Sequence, residues 1–312
     1  MLILLLMLVA GTAVGGSYAY YIWYHSDELL RTQLLQRTSR LLPGWQITVA
    51  RARFDFQGRI HAHGVRIGVG ESDARLLEID EVVLTIDQGR IADENPRIRR
   101  IELQRPRLWL HRNAEGEWNH SQLPPIPPPQ GLLPEWVLHG LTMLVRVDSS
   151  DGEGTFEHRL DNGEVQLSAE GRRQYRLTLE ASSNLAEQVA LDGMWHLDAR
   201  SGELRGQLGR LRVDDRLLEL VAEFSPEFHR GVETARHKLA ARLAPPTEPA
   251  AAAPRPVLEP LGLLVTTDID FELQRDRPGE PVRHAVRLQV LEGEVSHPPL
   301  DFPLTDLQGR GL

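Results

Sequence analysis

The sequence predicts a mainly β fold: an N-terminal transmembrane helix and a short amphipathic helix, then a long succession of antiparallel strands. Three observations carry this. The first residues form an uncharged apolar run, the hydrophobic period changes from 3.6 to 2 after Ile47, and turn-forming dipeptides punctuate the remainder of the chain.

Residues 1–24 predict a transmembrane signal anchor. Met1 to Trp23 carries no charge and exceeds the roughly 20 residues that cross a bilayer core. Gly11, Gly15 and Gly16 are tolerated in lipid-embedded helices, and Tyr18, Tyr20, Tyr21, Trp23 and Tyr24 crowd the far end, where amphipathic rings favour the headgroup zone. A cleaved signal peptide is the rival reading, with Ser17-Tyr18-Ala19 as its small-residue site, although the apolar run continues past that point. The first positive residues after the span are Arg31 and Arg37, so charge alone sets the orientation only weakly.

Residues 25–44 predict an amphipathic helix. Ser26 can cap it, Asp27 and Glu28 suit its first turn, and Leu29, Leu30, Leu34, Leu35, Leu41 and Leu42 recur at helical spacing until Pro43-Gly44. Its apolar stripe fits the end of the adjoining sheet, and the membrane surface is the alternative.

Alternation then takes over. Ala52, Phe54 and Phe56 interleave with Arg51, Arg53 and Asp55, and Ile60 and Ala62 with His61 and His63. Val82, Leu84 and Ile86 obey the same rule, as do Ile101 and Leu103, Leu108 and Leu110, Val165 and Leu167, and Tyr175, Leu177 and Leu179. The pattern returns at Leu218, Leu220, Ala222 and Phe224, and at Leu263, Val265, Ile269, Phe271 and Leu273. Gln57-Gly58, Asp151-Gly152, Asn162-Gly163 and Ser201-Gly202 read as turns between antiparallel meander strands. The body accordingly divides into a first β segment at 45–122, a Pro-rich loop at 123–135, a β-meander continuation at 136–243, a Pro/Ala-rich linker at 244–260 and further strands at 261–312. The last residues, Gly309-Arg310-Gly311-Leu312, suggest the N-terminal piece of a longer chain.

Composition excludes several classes. Hydrophobic residues make up 41% and charged ones 25%, as in ordinary globular proteins. A formal charge of -9, with the positive residues scattered singly, argues against a nucleic-acid partner. The absence of cysteine removes disulfides, thiolate metal sites and a cysteine nucleophile, and is compatible with either the cytoplasm or a periplasm.

A resemblance enters at Leu76 to Asn119. The stretch RIRRIELQRPRLWLHRNAEGEWN places Ile101, Leu103, Pro106, Leu108, Leu110, Arg112, Gly116, Trp118 and Asn119 on a strand pattern that runs into a G-x-W-N signature. This resembles the N-terminal region of the AsmA-like family of bacterial envelope proteins, which are architectural relatives of TamB and of chorein-type bridge lipid-transfer proteins. FDFQGRIHAHGVRIG, with Gly58, Ile60, Val65 and Ile67, is similar to the same family's first hairpin. The resemblance covers roughly residues 1–120 and returns faintly at Gly293 to Leu312. It implies an elongated, curved antiparallel sheet forming a repeating β-groove, an inner-membrane single-pass topology with the body in the periplasm, and phospholipid transport in outer-membrane biogenesis. Within the motif, Pro106 is expected to permit a register shift that moves the apolar face from Ile101 and Leu103 to Leu108 and Leu110. Gly116 would supply a turn, and Trp118 an anchor on the apolar face beside the Pro-rich loop.

Other constellations favour structural roles. His61 and His63 share a strand face but have no carboxylate or third His near in sequence, so a wet face explains them better than a metal. Asp148 to Glu153 lacks EF-hand spacing and reads as a hairpin loop, and the pairs Asp214-Asp215 and Asp268/Asp270 sit beside solvent-facing strand positions. No GxSxG, P-loop, GxGxxG or HExxH motif is present, and no enzyme activity, cofactor or metal is expected.

The expected function is sheltering of lipid acyl chains in an apolar lane, with membrane phospholipid, the inner-membrane bilayer and other envelope proteins as partners. The lane candidates are Phe54, Phe56, Ile60, Val82, Leu84, Ile86, Leu108, Leu110, Leu177, Leu179, Leu220, Phe224, Ile269 and Phe271. The same alternation would also build a closed β-sandwich core, and a membrane-tethered scaffold or adhesion module with no lipid lane is the alternative.

Overall fold

The computed structural model describes residues 27–36, 38–40, 42, 44–55, 57–68, 75–87, 98–122, 134–148, 154–171, 174–196, 201–215, 217–218, 262–277, 280–296 and 309–311, with Arg230 and Thr234. The expected span at Met1 to Trp23, the capping Ser26, the linker at 244–260, and Phe56, Leu220 and Phe224 lie outside them. No helix among the described residues is long and apolar enough to cross a membrane.

The protein is mainly β. Its strands are β1 (Gln46–Thr48), β2 (Arg51–Phe54), β3 (Arg59–Gly68), β4 (Arg75–Ile86), β5 (Ile98–Gln104), β6 (Arg107–Arg112), β7 (Glu135–Asp148), β8 (Thr155–Gly171) and β9 (Gln174–Ser183). They continue with β10 (Gln188–His196), β11 (Ser201–Asp214), β12 (Gly262–Arg275), β13 (Arg283–Ser296) and β14 (Gly309–Gly311). The chain forms two compact units, Met1–Thr178 and Leu179–Leu312, with β9 straddling the boundary.

In the first unit the strand order is β1-β3-β4-β5-β7-β8, with β2 on β3 and β6 on both β4 and β7. Residues 27–36 and 38–40 are helical, and this helix, α1, lays Leu30, Leu34 and Leu35 on a cluster built from Val49, Ala52, Ala62, Val65, Ile79 and Leu103. Arg31 Nε donates to the Val49 carbonyl at 2.7 Å and fastens the helix to the sheet. Gly44, at φ 85°, turns the chain toward β1 after the helix.

One expectation fails in this unit. The strands are not an uninterrupted antiparallel meander, because β7 runs parallel to β5 and β6, pairing Ile101 with Trp136 and Leu108 with Met143. A parallel neighbour needs a long return connection, and the stretch between Arg112 and Glu135 that contains the Pro-rich segment provides it.

Alternation along these strands breaks at a seam. Gly64 (φ 61°), Arg105 (φ 49°) and Gly140 (φ 67°) are left-handed, and the registers align them across the sheet, with Asp80 between Gly64 and Arg105. Register is the same on both sides: Leu103 faces Val82, and Leu108 faces Leu77, at one constant offset. What changes is parity. Ala62, Val82 and Leu103 lie three residues from Val65, Ile79 and the fully buried Pro106, and the first five of these belong to or pack on one cluster. The expected register shift at Pro106 therefore does not occur; a half-turn at Arg105 carries the apolar face across instead. Left-handed backbone at a non-glycine costs about 1–3 kcal/mol. Leaving Val65, Ile67, Leu77 and Ile79 on the wet side would forfeit about 1.5–3 kcal/mol for each fully buried chain, so the strain is offset several times over.

The same device appears in β8 and β11. Asn162 (φ 52°) lies within β8, and Ser201-Gly202 opens β11, so neither pair is the turn that its sequence suggested. Asn162-Gly163 is consumed by the irregular pairing of Leu141 with Gly163 and Met143 with Leu160. In the second unit, whose order is β9-β10-β11-β12-β13-β14, Gly209 and Arg210 bulge opposite Asp268, and Arg210 has φ 51°. The Asp268 carboxylate accepts from Arg210 N at 2.8 Å. After β11 the strand expected from Leu218 does not begin there. Asp214 caps a helical turn by accepting from Leu217 N at 2.9 Å, and Leu218 is helical.

Gly64→Val tests the seam. A Cβ at Gly64 would sit 2.9 Å from the Ala50 Cβ in a left-handed backbone, whereas one at Gly154 meets nothing. In urea unfolding, Gly64→Val is expected to lose about 2–4 kcal/mol and Gly154→Ala less than about 0.5 kcal/mol.

Candidate functional site

Each unit presents one apolar side and one side that gathers the charges, where in the first unit the buried Val83 and Val137 flank Glu102. On the first, Phe54, Ile60, Leu84, Ile101, Trp136 and Leu167 form a cross-strand row, and Ala52, Ala62, Val82, Leu103, Leu138 and Val165 form the next. Beyond the seam the rows continue with Leu77, Leu108, Met143 and Leu160, then with Leu110 and Val145. Of the lane candidates, Phe54, Ile60, Val82, Leu84, Leu108 and Leu110 are thus brought to one face. Ile86 pairs with Ile98 past a bulge, and Leu177 and Leu179 are half-buried on β9. Trp136, Leu138 and Met143 escaped sequence reasoning because Gly140 splits their alternation; an apolar pattern that changes parity at a glycine was the available signal.

These rows are not uniformly dry. Under α1 the cluster is buried, but Ile60, Leu84, Ile101, Leu108, Leu110, Met143 and Val145 are half-buried, and Phe54 is 49% exposed.

The second unit repeats the design. Val189, Leu208, Ile269 and Leu288 form one row, and Leu191, Gly206, Phe271 and Val286 the next. Gly206 is required there: a Cβ would collide with Phe271 Cζ and fall 2.7 Å from Leu191 Cδ2. Thr267, 1% exposed, is a buried hydroxyl on this side, and it donates to the Gln289 carbonyl at 2.9 Å beside the β13 bulge.

The opposite side is a lattice of ion pairs. His61 Nδ1 lies 2.8 Å from Glu81 Oε1 and its Nε2 3.2 Å from Asp55 Oδ2, while His63 Nε2 stands 3.7 Å from Glu81. Sequence distance hid both carboxylates; the β2–β3–β4 registers bring them in. No group of three or more metal-ligating side chains able to hold an ion occurs among the described residues. Arg105 binds Asp80 at 2.8 Å, Arg66 binds Glu78 at 2.9 Å, and His111 Nε2 meets Asp148 Oδ2 at 2.7 Å.

Asp55 organises the first hairpin. Its Oδ1 accepts from Gln57 N and Arg59 N, both at 2.9 Å, and its Oδ2 from Arg59 Nε at 2.8 Å. Burial pushes its carboxyl up, but these bonds and His61 outweigh it and hold the group well below the usual carboxylate range. The His61 hydrogen bond lowers Glu81, and the His111 hydrogen bond lowers Asp148.

The G-x-W-N motif is a clamp on β6. Gly116 (φ 86°) closes the turn with its N–H on the Asn113 carbonyl, and Trp118 bridges back to Arg112. Asn119 accepts from His111 N at 3.1 Å and donates to the Trp109 carbonyl at 2.8 Å, as a neighbouring strand would. Trp118 is half-buried with its ring 5.7 Å from that of His120.

No family model matches this chain, and no curated protein does.

The acid response derives from the three lowered carboxylates. Each is ionised in the fold at pH values where the unfolded chain takes up protons. Their stabilisation is therefore complete above the ordinary carboxylate range, begins to fall as pH enters it, and is gone only below the lowered folded values. Melting should hold steady from about pH 7 to 5 and drop below about pH 4. Asp55→Ala should lose about 1–3 kcal/mol at neutral pH, with the gap to the parent narrowing on acidification. A gap that widens in acid would refute this.

Proposed function

We propose that the chain is a membrane-anchored periplasmic protein of AsmA-like type, whose apolar sheet faces shelter lipid acyl chains and conduct phospholipid between membranes. The observation that carries this reading is the half-buried state of Ile60, Leu84, Leu108, Leu110, Met143 and Val145, apolar-row side chains outside the cluster under α1. A sheet that keeps a side of Leu, Ile, Val, Phe and Trp, yet leaves much of it accessible, carries a standing hydrophobic cost. An acyl chain laid along it recovers about 0.8 kcal/mol per buried CH₂.

Several features support the reading together. In each unit the described strands belong to a single sheet, with no second sheet facing it among the described residues. Charges gather on the opposite side, which suits water. The uncharged run at Met1 to Trp23 fits an inner-membrane anchor, and the motif from Ile101 to Asn119 fits the AsmA-like pattern. The lane is a property of each unit taken separately, so conduction along either apolar face needs no deep pocket. A scaffold with a closed core would instead keep these same rows dry.

Photo-crosslinking tests the proposal. A benzophenone amino acid placed at Leu84 or Leu108 of the full chain, expressed in a bacterial envelope labelled with radioactive phosphate, should capture labelled lipid on illumination. The same probe at Glu102, on the charged side, should capture little. Equal labelling from both sides, or none from Leu84 and Leu108, would overturn the lane. Leu84→Asp combined with a probe at Ile101 should cut the labelled adduct about tenfold or more, since an ionised carboxylate in the apolar row penalises the acyl chain.

A further inference from the structure

Acidic side chains are absent from the described apolar rows of the second unit. The rows of β10 to β13 carry Val189, Leu191, Leu208, Ile269, Phe271 and Leu288, with Thr267 as the buried hydroxyl. At one end two nitrogen bases break the pattern. Arg275 stands across from Gly202, which faces Trp195, and His284 faces Leu273 one step further in.

Arg275 differs from three other arginines of this unit, which are paired. Arg205 is held by Glu272, Arg210 by Glu187, and Arg283 by Asp276. Asp276, the acid next to Arg275 in sequence, is taken by Arg283 and Gln274. Arg275 Nε is buried and meets no hydrogen-bond acceptor among the described residues. A buried guanidinium donor without an acceptor is costly and marks a place where an anion would be welcome.

Its surroundings are apolar and open. The Trp195 ring overlies Gly202, so that a Cβ there would collide with Trp195 Cε3, and Trp195 is 44% exposed. Val282 and Val286 are exposed at the same end. An exposed tryptophan, two exposed valines, a guanidinium lacking an acceptor and an imidazole together match the boundary between a lipid's glycerol and its headgroup.

We infer that this end of the second unit seats the phosphate of an anionic lipid headgroup, with Arg275 as its principal donor, His284 as a second, and the acyl chains running inward past Phe271 and Ile269. The inference rests on the lane proposed above and narrows its substrate class to lipids carrying a phosphate and net negative charge. Selection arises because a zwitterionic or neutral headgroup leaves the Arg275 charge less fully matched.

The test uses the full chain in uncharged maltoside micelles doped with dibrominated phosphatidylglycerol, phosphatidylcholine or diacylglycerol. Bromine quenches nearby indoles, and the Trp195 share is the part lost in Trp195→Phe. Phosphatidylglycerol should quench that share at the lowest mole fraction and diacylglycerol at the highest. Arg275→Gln should raise the phosphatidylglycerol midpoint about tenfold, as loss of a charge-assisted hydrogen bond predicts, leave diacylglycerol unchanged, and be largely rescued by Arg275→Lys. Circular dichroism of each variant reports its fold.

Equal midpoints for phosphatidylglycerol and diacylglycerol in the parent chain, or an Arg275→Gln variant equal to the parent, would overturn the headgroup seat while leaving the lane standing. Displacement of phosphatidylglycerol by an equal concentration of inorganic phosphate would make this a site for the free anion and overturn its assignment to lipid. Quenching by none of the three, with labelled adducts still captured at Leu84, would remove the second unit's seat alone. The same result without those adducts would remove the lane as well.

Discussion

Everything in the first unit depends on keeping one side apolar along strands that are long and twisted. Alternation with period two does this only while the backbone stays regular. Here the strands give up regularity at a common line, and at that line they invert their alternation together. Gly64, Arg105 and Gly140 adopt left-handed backbone in register, so the apolar rows resume on the same side three residues on. Asp80 and Arg105, which the inversion turns outward, bind each other at 2.8 Å. The constraint explains the backbone, and the backbone explains why Leu103 and Leu108, of opposite parity, can serve one face.

Burial on the apolar side is graded. It is deep where α1 lies on Val49, Ala52, Ala62, Val65, Ile79 and Leu103, deep again at Val147 and Leu160, and partial at Ile60, Leu84, Leu108, Leu110, Met143 and Val145. The helix therefore supplies locally what a second sheet supplies in a sandwich. Aromatic rings play a related part in the second unit, where Phe271 overlies Gly206 and Trp195 overlies Gly202. Each ring covers backbone that a glycine leaves bare, as aromatic rings do opposite glycine in other sheets. The charged side contributes hairpin geometry more than bulk stability: the pairs there are mostly exposed and individually weak, while Asp55 sets a turn through backbone bonds.

Much of this was legible in the sequence. The alternation of Phe54, Ile60, Val82 and Leu84 placed these residues on one face correctly, and the G-x-W-N segment was recognisable as a structural turn. The side chains that misled did so for local reasons. Asn162-Gly163 and Ser201-Gly202 have turn chemistry, but Asn162 spends its tolerance of left-handed backbone on a bulge within β8, and Gly202 spends its missing Cβ on the Trp195 ring. Leu218 continued an apolar alternation, yet Asp214 capped a helical turn first.

What the sequence determined by itself was the β class, the two-sided character of the strands and the fact that Phe54, Ile60, Val82, Leu84, Leu108 and Leu110 contribute to an apolar side, because side-chain alternation is a local property of the backbone. What the tertiary structure alone decided was the parallel placement of β7, the inversion of parity at Arg105 without a register shift, and the meeting of His61 with Asp55 and Glu81. Those depend on which strands become neighbours and at what offset, and that is settled by burying the apolar rows of several distant segments together.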